Sequence, residues 1–331
     1  MKMKRTALLV MAACVAALTS CGSSKSAADK FGSEISEDTY AQTAAADESE
    51  PTVEGDDEEM YYNDCINKLA EKAPNEMLKR RDGVTYPRFE AASYFSTTAG
   101  RVTPVNVLLP AGYSEDKEYP VLYVLHGYWC DQDQMTAENM HISVMLNNLA
   151  ADGEAEEMIV VSPYIYCSRE QEKCTAMDAA NTLAYDNFIN DLTTDLMPFI
   201  EENYPAAVGK ENTAITGFSM GGREALFIGF TYPDRFGYIG AACPAPGVIS
   251  GTGIPYNLER EDFSFTDSKP YLVLISAGTN DNVVGNTPRI YHETLEQNGT
   301  QHIWHEVEGT AHDGSTVTPH LYIFLRMAFK A

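Results

Sequence analysis

Apolar positions from Arg88 onward fall into two recurring patterns. Short, nearly continuous apolar runs have the length of strands covered on both faces, and Tyr119-Pro120-Val121-Leu122-Tyr123-Val124-Leu125 is the clearest. Met158 to Val161, Thr213 to Thr216, Tyr238 to Ala242 and Tyr271 to Ser276 repeat the pattern. Ile303 to Val307 is more polar and reads as a strand nearer an edge. Between these runs lie stretches with a 3.6-residue apolar period. In Tyr185 to Tyr204 the stripe is Phe188, Ile189, Leu192, Leu196, Phe199 and Ile200, and Met220 to Phe230, Pro288 to Gln297 and Thr318 to Phe329 continue the alternation. Strands alternating with helices predict an α/β fold, a mostly parallel sheet with helices on both faces. Phe89 to Thr97 and Arg101 to Leu109, joined by Thr98-Ala99-Gly100, predict an antiparallel hairpin at one edge.

Upstream the pattern changes. Tyr61 to Arg81 reads as a helix that Asp82-Gly83 breaks. Between Gly22 and Met60 there are twelve acids and two lysines, Asp56-Asp57-Glu58-Glu59 among them, and few apolar residues. Like-charge repulsion with so little to bury predicts an extended, disordered tether. At the start, Lys2, Lys4 and Arg5 precede an apolar run from Ala7 to Leu18, too short to span a bilayer comfortably and of signal-peptide length. The run ends in Leu18-Thr19-Ser20-Cys21, which resembles a bacterial lipobox and implies diacylglyceryl modification of Cys21. The expected organisation is a lipoprotein signal peptide (1–20), an acidic tether (21–60), a helical extension (61–85) and one α/β domain (86–331). The protein is expected to be exported and held at the cell envelope by a lipid anchor alone.

Composition adds exclusions. A formal charge of −25 over 331 residues argues against nucleic acid as a partner. Beyond Cys21 the chain has Cys65, Cys130, Cys167, Cys174 and Cys243, an odd set in which Cys167 and Cys174 are spaced to close a short disulfide loop. No CxxC and no His/Cys cluster with zinc spacing occurs, so no metal is expected.

The chemistry begins at Thr213-Ala214-Ile215-Thr216-Gly217-Phe218-Ser219-Met220-Gly221-Gly222, a strand, a Gly-x-Ser-x-Gly turn and a helix. Such a turn lifts the serine hydroxyl above the sheet and leaves no room for side chains at Gly217 and Gly221. The helix that follows aims its N-terminal N–H groups at the site, where an oxyanion would develop. A serine needs a base and an orienting acid. Asp281 opens the loop after the Tyr271 to Ala277 strand, ahead of Asp262 and Asp267, which precede that strand. Among seven histidines only His312 combines the order Ser…Asp…His with a loop after the last strand. His126, in Leu125-His126-Gly127, reads as a structural residue beside the oxyanion loop.

With Tyr119 to Gly127, Gly217 to Gly222, Ala277 to Asp281 and Gly309 to Asp313 in this order, the chain from about Arg88 resembles the esterase D-like branch of the α/β hydrolases. Within that branch it is similar to the feruloyl and acetyl-xylan esterases of carbohydrate esterase family 1. The resemblance implies an α/β-hydrolase fold and a cofactor-free acyl transfer from Ser219 with His312 as base. It places the oxyanion donors at the backbone N–H groups of Met220 and Tyr128. Relatives often carry glycines after His-Gly, where this chain has Tyr128-Trp129-Cys130. Trp129, with Tyr128, is a candidate for stacking on an aryl group, or these rings pack the loop. The implied substrate is a hydroxycinnamoyl or acetyl ester on plant cell-wall polysaccharide or oligosaccharide. Siderophore and other small esters are the alternative, and a non-catalytic ligand-binding lipoprotein is the rival class.

Overall fold

The computed structural model of the chain describes residues 53–331; the signal peptide, Cys21 and most of the tether lie outside the described residues. Eight strands form one sheet: β1 (Glu90–Ser96), β2 (Arg101–Leu108), β3 (Val121–Leu125), β4 (Ile159–Pro163), β5 (Thr213–Phe218), β6 (Tyr238–Ala242), β7 (Leu272–Gly278) and β8 (Ile303–Val307). Their order is β1-β2-β4-β3-β5-β6-β7-β8. From β4 to β8 every neighbour is parallel, whereas β2 pairs antiparallel with β1 and with β4. This is an α/β-hydrolase fold.

Strand position in the sheet explains strand composition. Every residue of β3, β5 and β6 is buried, while edge strands β1 and β8 alternate buried with exposed or half-exposed positions. The pleat of β3 sends Val121, Tyr123 and Leu125 into one core layer and Leu122 and Val124 into the other. The first layer is covered by α3 (Ala179–Asp186), α4 (Phe188–Asp191), α5 (Met197–Asn203), α6 (Met220–Thr231) and α7 (Thr287–Gln297). The second is covered by α1 (Val53–Asn67), α2 (Ile142–Ala151) and α8 (Gly314–Met327).

Three expectations are corrected. The tether does not run to residue 60, and the extension is not helical to Arg81: the helix occupies Val53–Asn67. Tyr61 Oη donates to Met327 O at 2.8 Å, Tyr62 Oη donates to His302 O at 2.6 Å, and Cys65 is fully buried, so docking onto the domain sets where the helix lies. The chain beyond Asn67 meets Pro74, which disfavours helix before it, and wraps α2 instead, with Asn148 Nδ2 donating to the carbonyls of Glu76, Met77 and Lys79.

The Tyr185 to Tyr204 stripe is not one helix. It is broken between α3 and α4, and a π-turn at Leu192–Leu196 precedes α5. Pro198 has no N–H to give back to the preceding turn, so the ladder widens ahead of it and restarts with proline in the first turn of α5. The pairing that the spacing of Cys167 and Cys174 left open is not made: both are free thiols, and Cys174 Sγ donates to Ala176 O at 3.5 Å. The amphipathic helix α2, with Ile142, Met145, Leu146 and Leu149 buried, had no counterpart in the pattern reading.

Candidate active site

In-register parallel strands bring their carboxyl ends level. Phe218 pairs with Ala242 and Ala242 with Ser276, so Ser219, Cys243 and Ala277 emerge side by side at one edge of the sheet. At Ser219 the backbone has φ 57° and ψ −113°, a region L-residues avoid. Surrounding contacts hold it there: Ser219 N donates to Ala242 O at 2.9 Å, and Ser219 O accepts from Arg223 N at 3.0 Å and Ala245 N at 2.9 Å. Glycine is required on both sides. A Cβ on Gly217 would lie 2.4 Å from the Gly221 carbonyl, and one on Gly221 would lie 2.2 Å from Leu125 O.

The structure brings Ser219, His312 and Asp281 into one hydrogen-bonded chain. His312 Nε2 is 2.9 Å from Ser219 Oγ, and His312 Nδ1 is 2.7 Å from Asp281 Oδ2. A carboxylate only accepts, so Nδ1 carries the imidazole proton and Nε2 presents a lone pair to the serine hydroxyl. Asp281 Oδ1 accepts from Val283 N at 2.9 Å and Val284 N at 3.1 Å, which fixes the carboxylate plane. Phe218 lies against the imidazole with ring centroids 4.6 Å apart. Asp313, next to His312, caps α8 by accepting from Ser315 N, which anchors the histidine loop. Asp262 and Asp267 are exposed and make no hydrogen bond to His312. His292 and His302 pair with each other, and His305 and His320 are buried beneath the sheet on Ser276.

Above the serine, Met220 N and Tyr128 N donate to no protein acceptor among the described residues. Their neighbours are engaged: Gly127 N donates to Gln134 Oε1 at 2.7 Å, and Trp129 N donates to Tyr185 Oη at 3.2 Å. His126 is fully buried and its imidazole is pushed down to about 4 by desolvation, so it is neutral at ordinary pH. Its Nε2 accepts from Ile165 N at 3.1 Å, which leaves the proton on Nδ1 to donate to Gly127 O at 2.8 Å. Tyr128 packs the loop: its ring lies 4.9 Å from that of Tyr185 and its hydroxyl donates to Ala176 O. Trp129 is 53% exposed and takes φ 69°, the left-handed conformation that a glycine would occupy at lower cost. The sequence reading did not single out Tyr185 or Cys243. No motif marks them, and they reach the site from a helix and from the end of a strand.

Such an arrangement can pass a serine proton to imidazole while two backbone N–H groups face a developing negative charge. Comparison with known proteins agrees. A family model described as "Putative esterase" matches residues 96–313. The ferulic acid esterase AmCE1/Fae1A of Anaeromyces mucronatus, of the CE1 group, is 37% identical, with a TM-score of 0.75 over 79% of this chain and 97% of that one. The same enzyme has also been solved in complex with ferulic acid, at a TM-score of 0.74. The endo-1,4-beta-xylanase/feruloyl esterase of Xylanibacter ruminicola is 26% identical over 261 residues, which cover 76% of this chain and 33% of that protein. The chain thus spans only about a third of the length of that relative.

Proposed function

The chain belongs to the esterase family and is a carboxylic ester hydrolase; on that premise we propose that it cleaves hydroxycinnamoyl or acetyl esters from plant cell-wall polysaccharide. The single observation that carries the mechanism is the hydrogen-bonded chain through His312, 2.9 Å from Ser219 Oγ and 2.7 Å from Asp281. Ser219 Oγ attacks the ester carbonyl as His312 Nε2 takes its proton. The tetrahedral oxyanion is held by the N–H groups of Tyr128 and Met220. His312 returns the proton to the departing alcohol, and water, activated by the same base, releases the acid. Asp281 keeps the imidazole in the required tautomer throughout.

The substrate class rests on the likeness to ferulic acid esterases and on the exposed Trp129 indole beside the oxyanion loop. Purified protein assayed on feruloyl, acetyl and siderophore esters tests it. Preferential release of ferulate or acetate from substituted xylo-oligosaccharides is expected; turnover confined to siderophore esters would replace this substrate class and leave the esterase chemistry standing.

The proposal extends to place. Leu18-Thr19-Ser20-Cys21 and the basic, apolar segment ahead of it support export and lipid anchoring, which would set the enzyme on the cell surface facing polymeric substrate. Cys21→Ala should move the protein from membrane to soluble fractions at unchanged specific activity. A mature N-terminus at another residue, unlipidated by mass spectrometry, would refute the anchor.

A further inference from the structure

The register that levels β5, β6 and β7 also delivers a thiol to the residues that govern proton transfer. Cys243 follows Ala242 at the end of β6, and its N–H donates to Ser276 O at 2.8 Å. Its φ of 46° is left-handed, and the side chain is fully buried. Cys243 Sγ, an Asp281 carboxylate oxygen and a His312 ring nitrogen all lie within 4.8 Å of one another. Burial and the facing Asp281 carboxylate both push the thiol well above its usual range, so without a cation it stays protonated.

We propose that Cys243, Asp281 and His312 form an inhibitory binding site for a thiophilic divalent cation of the Zn2+ type. The idea rests on the assignment of His312 and Asp281 to catalysis. Three protein ligands of S, O and N type with a fourth position open to water is the make-up of an open tetrahedral zinc site. Metal–ligand lengths of about 2.0–2.3 Å put donor atoms about 3.5 Å apart, so movements of about 1 Å close the shell. Thiolate and carboxylate together neutralise the dication, which suits a buried place. The thiol sets selectivity, because Mg2+ and Ca2+ take oxygen ligands and gain little from sulfur.

Ligation switches off the base by proton bookkeeping alone. His312 binds the cation through Nδ1, the nitrogen now facing Asp281. Its single proton moves to Nε2, leaving no lone pair for Ser219 Oγ. Cys243 gives its thiol proton to solvent, so one proton is released for each cation bound. No bond to carbon forms or breaks, and a chelator reverses the change.

The test uses the full chain. Zn2+ should inhibit ester hydrolysis reversibly, and Mg2+ and Ca2+ should not. Cys243→Ser and Cys243→Ala should raise the half-inhibitory Zn2+ concentration at least tenfold, while Cys130→Ser, at a partly exposed thiol, leaves it unchanged. Co2+ added to Ser219→Ala protein should give a thiolate-to-cobalt charge-transfer band that disappears when Cys243→Ala is added. That readout needs no turnover, so it separates failure of this site from failure of the esterase mechanism. Equal inhibition of wild type and both Cys243 variants, or a Co2+ spectrum without the thiolate band, overturns the proposal.

Discussion

His126 grips the carbonyl of Gly127 through Nδ1 at 2.8 Å, and so controls the far side of the same peptide plane. In a trans peptide the C=O of Gly127 and the N–H of Tyr128 point in opposite directions. Holding the first turned inward therefore turns the second outward, where the oxyanion would sit. Asn places an amide donor near the position of Nδ1, whereas Gln reaches toward that of Nε2. His126→Gln should lower kcat by about 10²–10³, the scale for losing one oxyanion donor, with KM little changed. His126→Asn should recover much of that loss. Equal kcat in both variants and wild type would mean that the peptide is held by other contacts.

The hydrogen-bonded chain of Ser219, His312 and Asp281, in the role proposed for it, makes graded predictions. Ser219→Ala and His312→Ala should each reduce kcat by about 10⁶ with substrate binding largely kept, and combining them should cost little more. Asp281→Asn should keep the fold and cost about 10⁴, because the amide favours the wrong imidazole tautomer. Full activity in Asp281→Asn, or a dead Asp262→Asn, would reassign the acid.

Trp129 is exposed beside the site and strained at φ 69°. Trp129→Gly removes the indole while suiting the left-handed backbone, so it separates aryl binding from loop integrity. KM for a feruloyl ester should rise several-fold while acetyl-ester kinetics stay near wild type. A matching change on both esters would assign Trp129 to loop structure instead.

Acid should unfold the domain through its buried histidines. Desolvation pushes His320 down to about 3 and His126 to about 4, each below the value of about 6.5 in an unfolded chain. Between these values the unfolded state binds more protons, so stability is full above pH of about 6.5 and falls as pH drops through the window. Each histidine contributes a slope of about 1.4 kcal/mol per pH unit there. His320 links Thr216 Oγ1 at 2.9 Å to Ser276 Oγ at 2.8 Å, so His320→Gln should lower stability at pH 7 but flatten its acid dependence. A melting temperature for wild type that is constant from pH 7 to 4 would contradict this.

The N-terminal extension should behave as part of the domain. Truncation before Val53 should leave the melting temperature unchanged. Truncation to Leu69 removes buried Cys65 and the hydroxyl bonds of Tyr61 and Tyr62 to Met327 and His302, at a cost of about 2 kcal/mol or more in chemical denaturation. An unchanged midpoint after that cut would show that the docking adds no stability.

Much of this protein is written locally. Strands of the sheet interior are readable because burial on both faces demands unbroken apolar runs, as in Val121–Leu125. The Ser219 turn is readable because Gly217 and Gly221 are dictated by contacts within a few residues and against β3. Chain order and loop position point to Asp281 and His312, and the fold sets these two and Ser219 in one hydrogen-bonded chain. Other features depend on partners distant in sequence. Helix α1 lies at Val53–Asn67 because residues some 240 and 266 positions away accept its tyrosine hydroxyls. Only the tertiary fold decides that His126 orients the Tyr128 peptide, since Ile165 chooses its tautomer from the next strand's end. The same holds for Cys243, which has no motif and no neighbouring ligand in sequence. Parallel register sets it beside Asp281 and His312, and register is a property of the assembled sheet that short-range patterns do not carry.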